Sequence, residues 1–329
     1  MGLLSSSFTM IDRVRHLIEW QVNCRMADSH SDSQKTTGEI GRNRGYNVGS
    51  FERGNGRGLD VLGLRFTVLA SGSTGNATIV QSSEKTVLVD AGLSMKKLDE
   101  LMRERGIAGH DLDALFVTHE HSDHIKGLGA FARKYELPIY ANEATWGAME
   151  RHVGTIAAEK RVIMETGEAL DFGSMRVQSY PISHDAAEPV GYCFQEQGEK
   201  LSLATDLGYV SEKVRSQIVD SDVLVLESNH DTEMLRMGRY PWNIKRRILS
   251  DVGHLSNVAA GEALIELMTD RTKRVYLAHL SLDHNQMDLA MLTVNSILEN
   301  HGIFYKQDEF PLRKTYHDKP TPWDEVKRK

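Results

Sequence analysis

A layered α/β fold is what this sequence predicts, on three observations. Between Leu64 and about Tyr305, short β-branched and aliphatic runs alternate with helical patterns, as layered sheets and helices require. Polar residues of metal-ligating type recur just past the C-terminal ends of the strands, the rim where such folds open their clefts. The chain has 329 residues, 40% of them hydrophobic, enough for a proper core in one large domain or two modest ones.

The strands read in order as Arg65–Ala70, Ile79–Gln81, Thr86–Val89, Ala114–Val117, Ile139–Tyr140, Met175–Tyr180, Gly191–Gln195, Lys200–Ala204, Val223–Leu226 and Val275–Ala278. Helices are expected at Ser94–Arg105, Ile125–Tyr135, Glu143–Gly147, Ser211–Ile218, Asn257–Thr269 and Met287–Asn300. Ser256 is placed to cap the fifth, where Ala260, Leu264, Leu267 and Met268 give one apolar face. Residues 1–63 read as an extension. Its stretch 26–60 is rich in Ser, Gly, Asn, Arg and Asp, and too poor in aliphatic side chains to offset the entropy of ordering. Residues 10–22 could form a short amphipathic turn or two. Residues 64–305 form the folded part, and 306–329, with prolines and mixed charge, read as a surface tail.

Composition excludes several classes. The formal net charge of −7 gives no global basic signature, so any polyanion must be gripped by a local patch or by bound cations. Cys24 and Cys193 imply no disulfide framework and fit a reducing cytoplasm. No eighteen-residue apolar run exists, and the first residues lack a basic segment leading into a long apolar one. Neither secretion nor membrane insertion is supported.

The most informative stretch is Thr118-His119-Glu120-His121-Ser122-Asp123-His124, which packs four potential metal ligands into six residues. Imidazole and carboxylate suit borderline divalent cations, and the missing thiolate argues for a catalytic over a closed structural site. If the segment is extended, His119 and His121 project to one side, and a turn at Ser122 brings Asp123 and His124 round to a second cation. A zincin pattern fails, because the residue four after His119 is Asp123. Solvated loop histidines are the ordinary alternative, and the company further along the chain weighs against it. Asp90, His119, His184, Asp206, Glu227 and His279 each follow a predicted strand. Singly, His184 could be a surface residue, Asp206 a helix cap and His279 a strand-end histidine.

The set T-H-E-H-S-D-H followed by lone His184, Asp206 and His279, in that order, resembles the metallo-β-lactamase superfamily over about residues 65–303. Within it, LASGSTGNATIV (69–80), ESNHD (227–231), YPWNIKRRI (240–248) and GHLSN (253–257) resemble WalJ/YycJ-type hydrolases of the nuclease branch. GHLSN is also similar to the GHST element of transfer-RNA 3′-processing nucleases. No β-CASP insertion fits the gap of roughly seventy residues between Asp206 and His279. The resemblance implies an αββα four-layer sandwich with two divalent metal ions at one edge, Zn²⁺ first and Mn²⁺ also compatible. It assigns His119, His121 and His184 to one metal, Asp123, His124 and His279 to the other, Asp206 as the bridge, and Asp90 as a carboxylate orienting a ligand. The activity it implies is phosphodiester hydrolysis of nucleic acid, DNA before RNA, by a 5′-to-3′ exonuclease in which Asp123 and His254 serve the chemistry.

Metal coordination lowers the pKa of water to around 7, and the cations can neutralise charge on a phosphoryl or carbonyl oxygen, so the metal core leaves the substrate class open. Three features favour a phosphodiester. His254 precedes the Ser256 helix start, where it could meet a phosphate or protonate a departing oxygen, unless it merely caps the helix. From Arg236 to Arg247 the chain carries Arg236, Arg239, Lys245, Arg246 and Arg247 without an acid, interleaved with Tyr240 and Trp242. Cations there can follow a phosphate backbone while aromatic faces stack on unpaired bases; a solvated helix face is the plainer reading. The SGSTGN loop, with Ser73 and Asn76, either lines the site or is a turn. Asn229 and His230 could feed the pocket, and His284 and Asn285 could reach a phosphate. A thioester or lactone hydrolase is the alternative enzyme, and a DNA-associated regulatory protein with weak catalysis the alternative of another class. Oligomeric state has no signature here.

Overall fold

The computed structural model describes residues 63–305 and 311–327, so the readings of 1–62 lie outside the described residues. Six strands from the N-terminal half are β1 (Arg65–Ala70), β2 (Ala77–Gln81), β3 (Thr86–Val89), β4 (Ala114–Phe116), β5 (Ile139–Ala141) and β6 (Arg161–Ile163). The C-terminal half supplies β7 (Ala169–Phe172), β8 (Met175–Pro181), β9 (Val190–Glu196), β10 (Glu199–Ala204), β11 (Val223–Glu227) and β12 (Arg274–Ala278), and the chain ends with β13 (Leu312–Lys314) and β14 (Asp324–Glu325). They assemble into two seven-stranded sheets, ordered β14-β1-β2-β3-β4-β5-β6 and β13-β12-β11-β10-β9-β8-β7. Each sheet starts as an antiparallel meander and turns parallel, from β3 to β6 in the first and from β10 to β13 in the second.

The helices are α1 (Met95–Glu104), α2 (Ser122–Ile125), α3 (Leu128–Tyr135), α4 (Glu143–Val153), α5 (Glu212–Ile218), α6 (Thr232–Met237), α7 (Trp242–Ile248), α8 (Asn257–Leu267) and α9 (Met287–Asn300). Three apolar clusters show how the layers stack. Alternating strand residues such as Phe66, Val68, Val87 and Phe116 meet Val177, Tyr192, Phe194 and Val225 between the sheets. The opposite face of the first sheet, with Ile79, Leu88 and Leu115, is covered by α1, α3 and α4 through Leu98, Phe131 and Trp146. That of the second, with Leu224, Leu226 and Leu277, is covered by α5, α8 and α9 through Val214, Leu264 and Val294. Two sheets packed face to face with helices outside make an αββα sandwich. Ser256 caps α8, its hydroxyl accepting from the Ala259 N–H at 3.1 Å.

Several elements depart from the sequence reading. The single helix expected over 125–135 is two, because Gly127 N–H leaves the helical ladder to donate to Ala91 O at 2.8 Å. Helix α4 runs on to Val153, and β6 and β7 were too short and half-exposed to stand out. The segment read as a surface tail lays one strand on each sheet, β13 parallel to β12 and β14 antiparallel to β1, with Leu312 and Val326 buried. No helix among the described residues is long and apolar enough to cross a membrane.

Candidate metal centre

The parallel strands of both sheets end at one rim, and the site is built in the turns that follow them. After β4 the chain stays extended to His121 (φ −63°, ψ 149°), then enters the single-turn α2. The extended part presents His119 and His121, and the turn of helix brings Asp123 and His124 back beside them. Gly92 makes this possible: a Cβ there would lie 1.6 Å from the Asp123 carbonyl oxygen, so only glycine lets the turn after β3 pack against the loop. From the second sheet come His184 after β8, Asp206 after β10, Glu227 at the end of β11, His254 before α8 and His279 after β12. Asp90, Asp206 and His279 all adopt left-handed backbone conformations, with φ of 58°, 61° and 54°. For residues with a Cβ this costs on the order of 1–3 kcal/mol each, a strain typical of functional sites.

Ligand atoms of His119, His121 and His184 lie within 4.8 Å of one another, and so do those of Asp123, His124 and His279 and those of His119, His124 and Asp206. His121 Nδ1 faces His119 Nε2 at 3.1 Å and His184 Nε2 at 3.2 Å. Asp206, 2% exposed, touches both groups: its oxygens lie 3.4 Å from His124 Nε2, 3.4 Å from His279 Nε2 and 3.7 Å from His184 Nε2, and Oδ2 has no hydrogen-bond partner. Asp123 Oδ2 lies 3.4 Å from His124 Nε2 and 3.5 Å from His279 Nε2. A buried, unpaired carboxylate oxygen among converging imidazole nitrogens is what a cation site requires, and the donor set is all nitrogen and oxygen. The residues fit divalent metal ions, which the fold and these clusters together imply.

Hydrogen bonds on the far side of each ring hold it in place. Asp90 accepts from Thr118 N–H at 2.9 Å and faces His124 Nδ1 at 2.8 Å, so Nδ1 carries the proton and Nε2 points into the cluster. His184 Nδ1 donates likewise to Gly253 O at 3.1 Å. Glu227 does this for two rings, its Oε1 lying 2.8 Å from His254 Nδ1 and 2.9 Å from His279 Nδ1, while Oε2 accepts from Leu207 N–H and Leu255 N–H. The His279 backbone is fixed too, its N–H donating to Ser71 Oγ and its carbonyl accepting from Asn229 Nδ2, both at 2.8 Å.

The electrostatics follow from this packing. Burial, with His124, His184 and His121 nearby, holds His119 well below the usual imidazole range, and burial also lowers His184. Burial opposes charge on His279, but the Asp206 charge and the hydrogen bonds the ring donates to Asp123 and Glu227 outweigh it and push the ring up to about 10. His124 is raised against burial by Asp206, Asp90 and Asp123. Asp123, Asp206 and Glu227 are lowered despite burial by the histidines around them.

Of the residues proposed to touch substrate, four are exposed: Ser73, Trp242 (64% exposed), Arg246 and Arg247. Arg247 pairs with Asp185, next to His184. The other six are buried, and for Lys245, Asn285 and His284 the packing corrects the sequence reading. Lys245 is buried, its ammonium donating to Arg236 O at 2.6 Å and lying 5.2 Å from the Trp242 ring, because one helical turn puts it on the inward face with Ile248. Asn285 spends its amide on Ser228 O, Asn229 O and Asn257, leaving nothing for a phosphate. His284 is buried edge-on against Tyr240, 4.4 Å between ring centroids. His230 is buried near Glu227 and His254, and burial pushes it down to about 4. Asn229 and Asn76 are buried as well; Asn76 Nδ2 lies 3.1 Å from His124 Nε2. His254 is not the helix cap, since α8 begins at Asn257 under Ser256, and its side chain is 14% exposed.

Sequence reasoning passed over Glu227 and Thr118 as site residues. Glu227 was visible as one of the six strand-end residues, but nothing in its spacing says that it faces two imidazoles. Thr118 Oγ1 lies 2.9 Å from Asp90 Oδ2 and 3.0 Å from His119 Nδ1.

Residues 85–280 match the family model of the β-lactamase superfamily domain. The chain is 52% identical over 260 residues to an exodeoxyribonuclease YycJ of Bacillus anthracis, covering 79% of this chain and 98% of that protein. It is 43% identical over 270 residues to an exodeoxyribonuclease WalJ of Streptococcus pneumoniae, covering 82% and 100%. Among solved structures, the metallo-β-lactamase fold protein YhfI of Bacillus subtilis aligns with a TM-score of 0.60 at 17% identity, over 78% of this chain and 98% of that one, a likeness of fold.

Proposed function

The chain belongs to the metallo-β-lactamase superfamily, and on that premise we propose that it is a metal-dependent exodeoxyribonuclease that works on DNA in the cytoplasm. The reading is carried by one observation: side chains from both sheets converge as a nitrogen and oxygen cage, and helix α7, with Trp242, Arg246 and Arg247 exposed, is tied to it by the Arg247–Asp185 pair next to His184. The names of the two relatives, matched over nearly their whole lengths, support the same class.

His119, His121 and His184 would hold one cation, Asp123, His124 and His279 a second, with Asp206 between them, Zn²⁺ first and Mn²⁺ as the alternative. When bound, such cations make water acidic enough to attack at neutral pH and neutralise charge on phosphoryl oxygens. The protein's own groups do the rest. Asp90 and Glu227 fix the orientation of His124, His279 and His254. With Nδ1 bonded to Glu227, His254 has Nε2 left to give a proton to the oxygen that leaves phosphorus. Arg246 and Arg247 follow the strand's phosphates, and the Trp242 indole stacks on an unpaired base. The 5′-to-3′ direction rests on the resemblance to nuclease-branch proteins.

The test is digestion of 5′- and 3′-labelled single- and double-stranded DNA and of RNA, with Zn²⁺, with Mn²⁺ and with chelator. Metal-dependent release of mononucleotides from DNA, the 5′ label appearing first, is expected. Cleavage of a small thioester with inertness toward every polynucleotide would overturn the proposal.

A further inference from the structure

The segment after β13 does more than close the second sheet. Tyr316 O accepts from Ser71 N–H at 2.9 Å, and Ser71 Oγ in turn accepts from His279 N–H at 2.8 Å, so the C-terminal backbone lies two hydrogen bonds from the metal cage. His317 packs against Gly72, where φ is +144° and a Cβ would come within 2.2 Å of its Nδ1. Thr315 Oγ1 donates to Leu277 O at 2.8 Å, tying the segment to the strand that ends at His279.

Between this segment and the loop after His279 lies a cavity of about 230 Å³ lined by Leu280, Leu282, Gln286, Met287, Tyr316 and His317. Its size selects the occupant: drug-sized ligands fill roughly 300–1,000 Å³, so this space takes one flat ring and not a whole nucleotide chain. Its chemistry selects too. Leu282 is 55% exposed, Tyr316 supplies an aromatic ring to the lining, and Gln286, Ser281 and Asp318 add hydrogen-bonding groups. An apolar slot with an aromatic wall and a few polar atoms, the Asp318 carboxylate among them, fits a nucleobase, whose N–H groups such an acceptor can meet.

We propose that this cavity, built by the C-terminal segment and the loop Leu280–Met287, receives the base of the nucleotide beside the scissile phosphate. The proposal rests on the exodeoxyribonuclease reading and adds to it that the enzyme grips a base, through a pocket separate from the Trp242 face.

The experiment compares kcat/KM of the metal-loaded full chain on end-labelled single-stranded DNA with kcat/KM on the same strand carrying an abasic residue at the terminal or the penultimate position. Wild type should favour the base-bearing strand by about tenfold or more, as loss of a base stack implies. Tyr316→Ala, and independently the exposed Leu282→Asp, should bring that ratio to within about twofold. Folding losses scale both substrates alike and do not alter the ratio. A ratio near one in wild type, or one undiminished in both variants, overturns the pocket while DNA cleavage itself upholds the exonuclease. Absence of cleavage of every strand overturns the exonuclease reading and the pocket with it.

Discussion

In the N-terminal half, His119, His121, Asp123 and His124 come from six consecutive residues that run from the loop after β4 into α2, whereas the C-terminal half sends His184, Asp206, Glu227, His254 and His279 from five separate points of the chain. Both arrangements end at the same cage. The first depends on local geometry, an extended pair followed by one helical turn. The second depends on the whole sheet being in register, since each strand of β8, β10, β11 and β12 contributes a single group. The contacts cross between the halves: His121 meets His184, Asp123 meets His279, and His124 meets Asp206. A cation held there binds one half to the other.

The sharpest test removes one ligand from each half. His121→Ala and Asp206→Ala should each lower metal-dependent turnover on the order of a thousandfold or more. If metal analysis and kinetics showed His121→Ala active and Asp206→Ala dead, the halves would be unequal partners and the cage would need only the scattered set.

Next come the carboxylates that orient the rings. Glu227→Gln and Asp90→Asn should cost about ten- to a hundredfold in metal affinity or activity, by titration with Zn²⁺ or Mn²⁺. The Glu227 change should be the larger, because that side chain serves two imidazoles and two backbone N–H groups while Asp90 serves one imidazole and Thr118. An Asp90 effect exceeding the Glu227 effect would reverse the ordering.

The halves also differ in their protons. His119 is held neutral by burial, whereas His279 keeps its proton up to about 10. A cation must displace the His279 proton, so apparent metal affinity falls as the pH drops below that value, by about tenfold per pH unit for each proton displaced. Calorimetry in buffers of different ionisation enthalpy should record proton release at pH 7.5. Uptake linked to no proton would contradict this.

The smallest effects belong to the cationic face. Arg247→Ala should raise KM for DNA a few-fold and flatten its dependence on salt. Lys245→Met should instead act through stability, costing about 1–3 kcal/mol in denaturant unfolding, since it strips the Arg236 carbonyl of a buried partner. Equal, salt-sensitive KM changes in both would put Lys245 back on the surface.

What the sequence revealed follows the same division. The contiguous loop was legible from spacing alone, because ligand type and periodicity sit side by side. His184, Asp206 and His279 were legible only as strand-end residues in a familiar order; their convergence is a property of sheet topology. Glu227 was seen at its strand end, but its two imidazole partners lie 27 and 52 residues away. Lys245 was misread because a run of cations was taken as one surface, although its three-residue spacing from Ile248 placed it on the buried side of α7. The closing strands β13 and β14, three and two residues long among prolines and charges, carried too little pattern to be seen.

Those two late strands bear on where the chain can be shortened. β1 is the first strand of the fold in chain order, yet its outer edge pairs with β14, more than 250 residues later, and Ser71 depends likewise on the distant Tyr316 carbonyl. A chain cut before Tyr316 would leave the β1 edge open and the Ser71 N–H without its carbonyl partner.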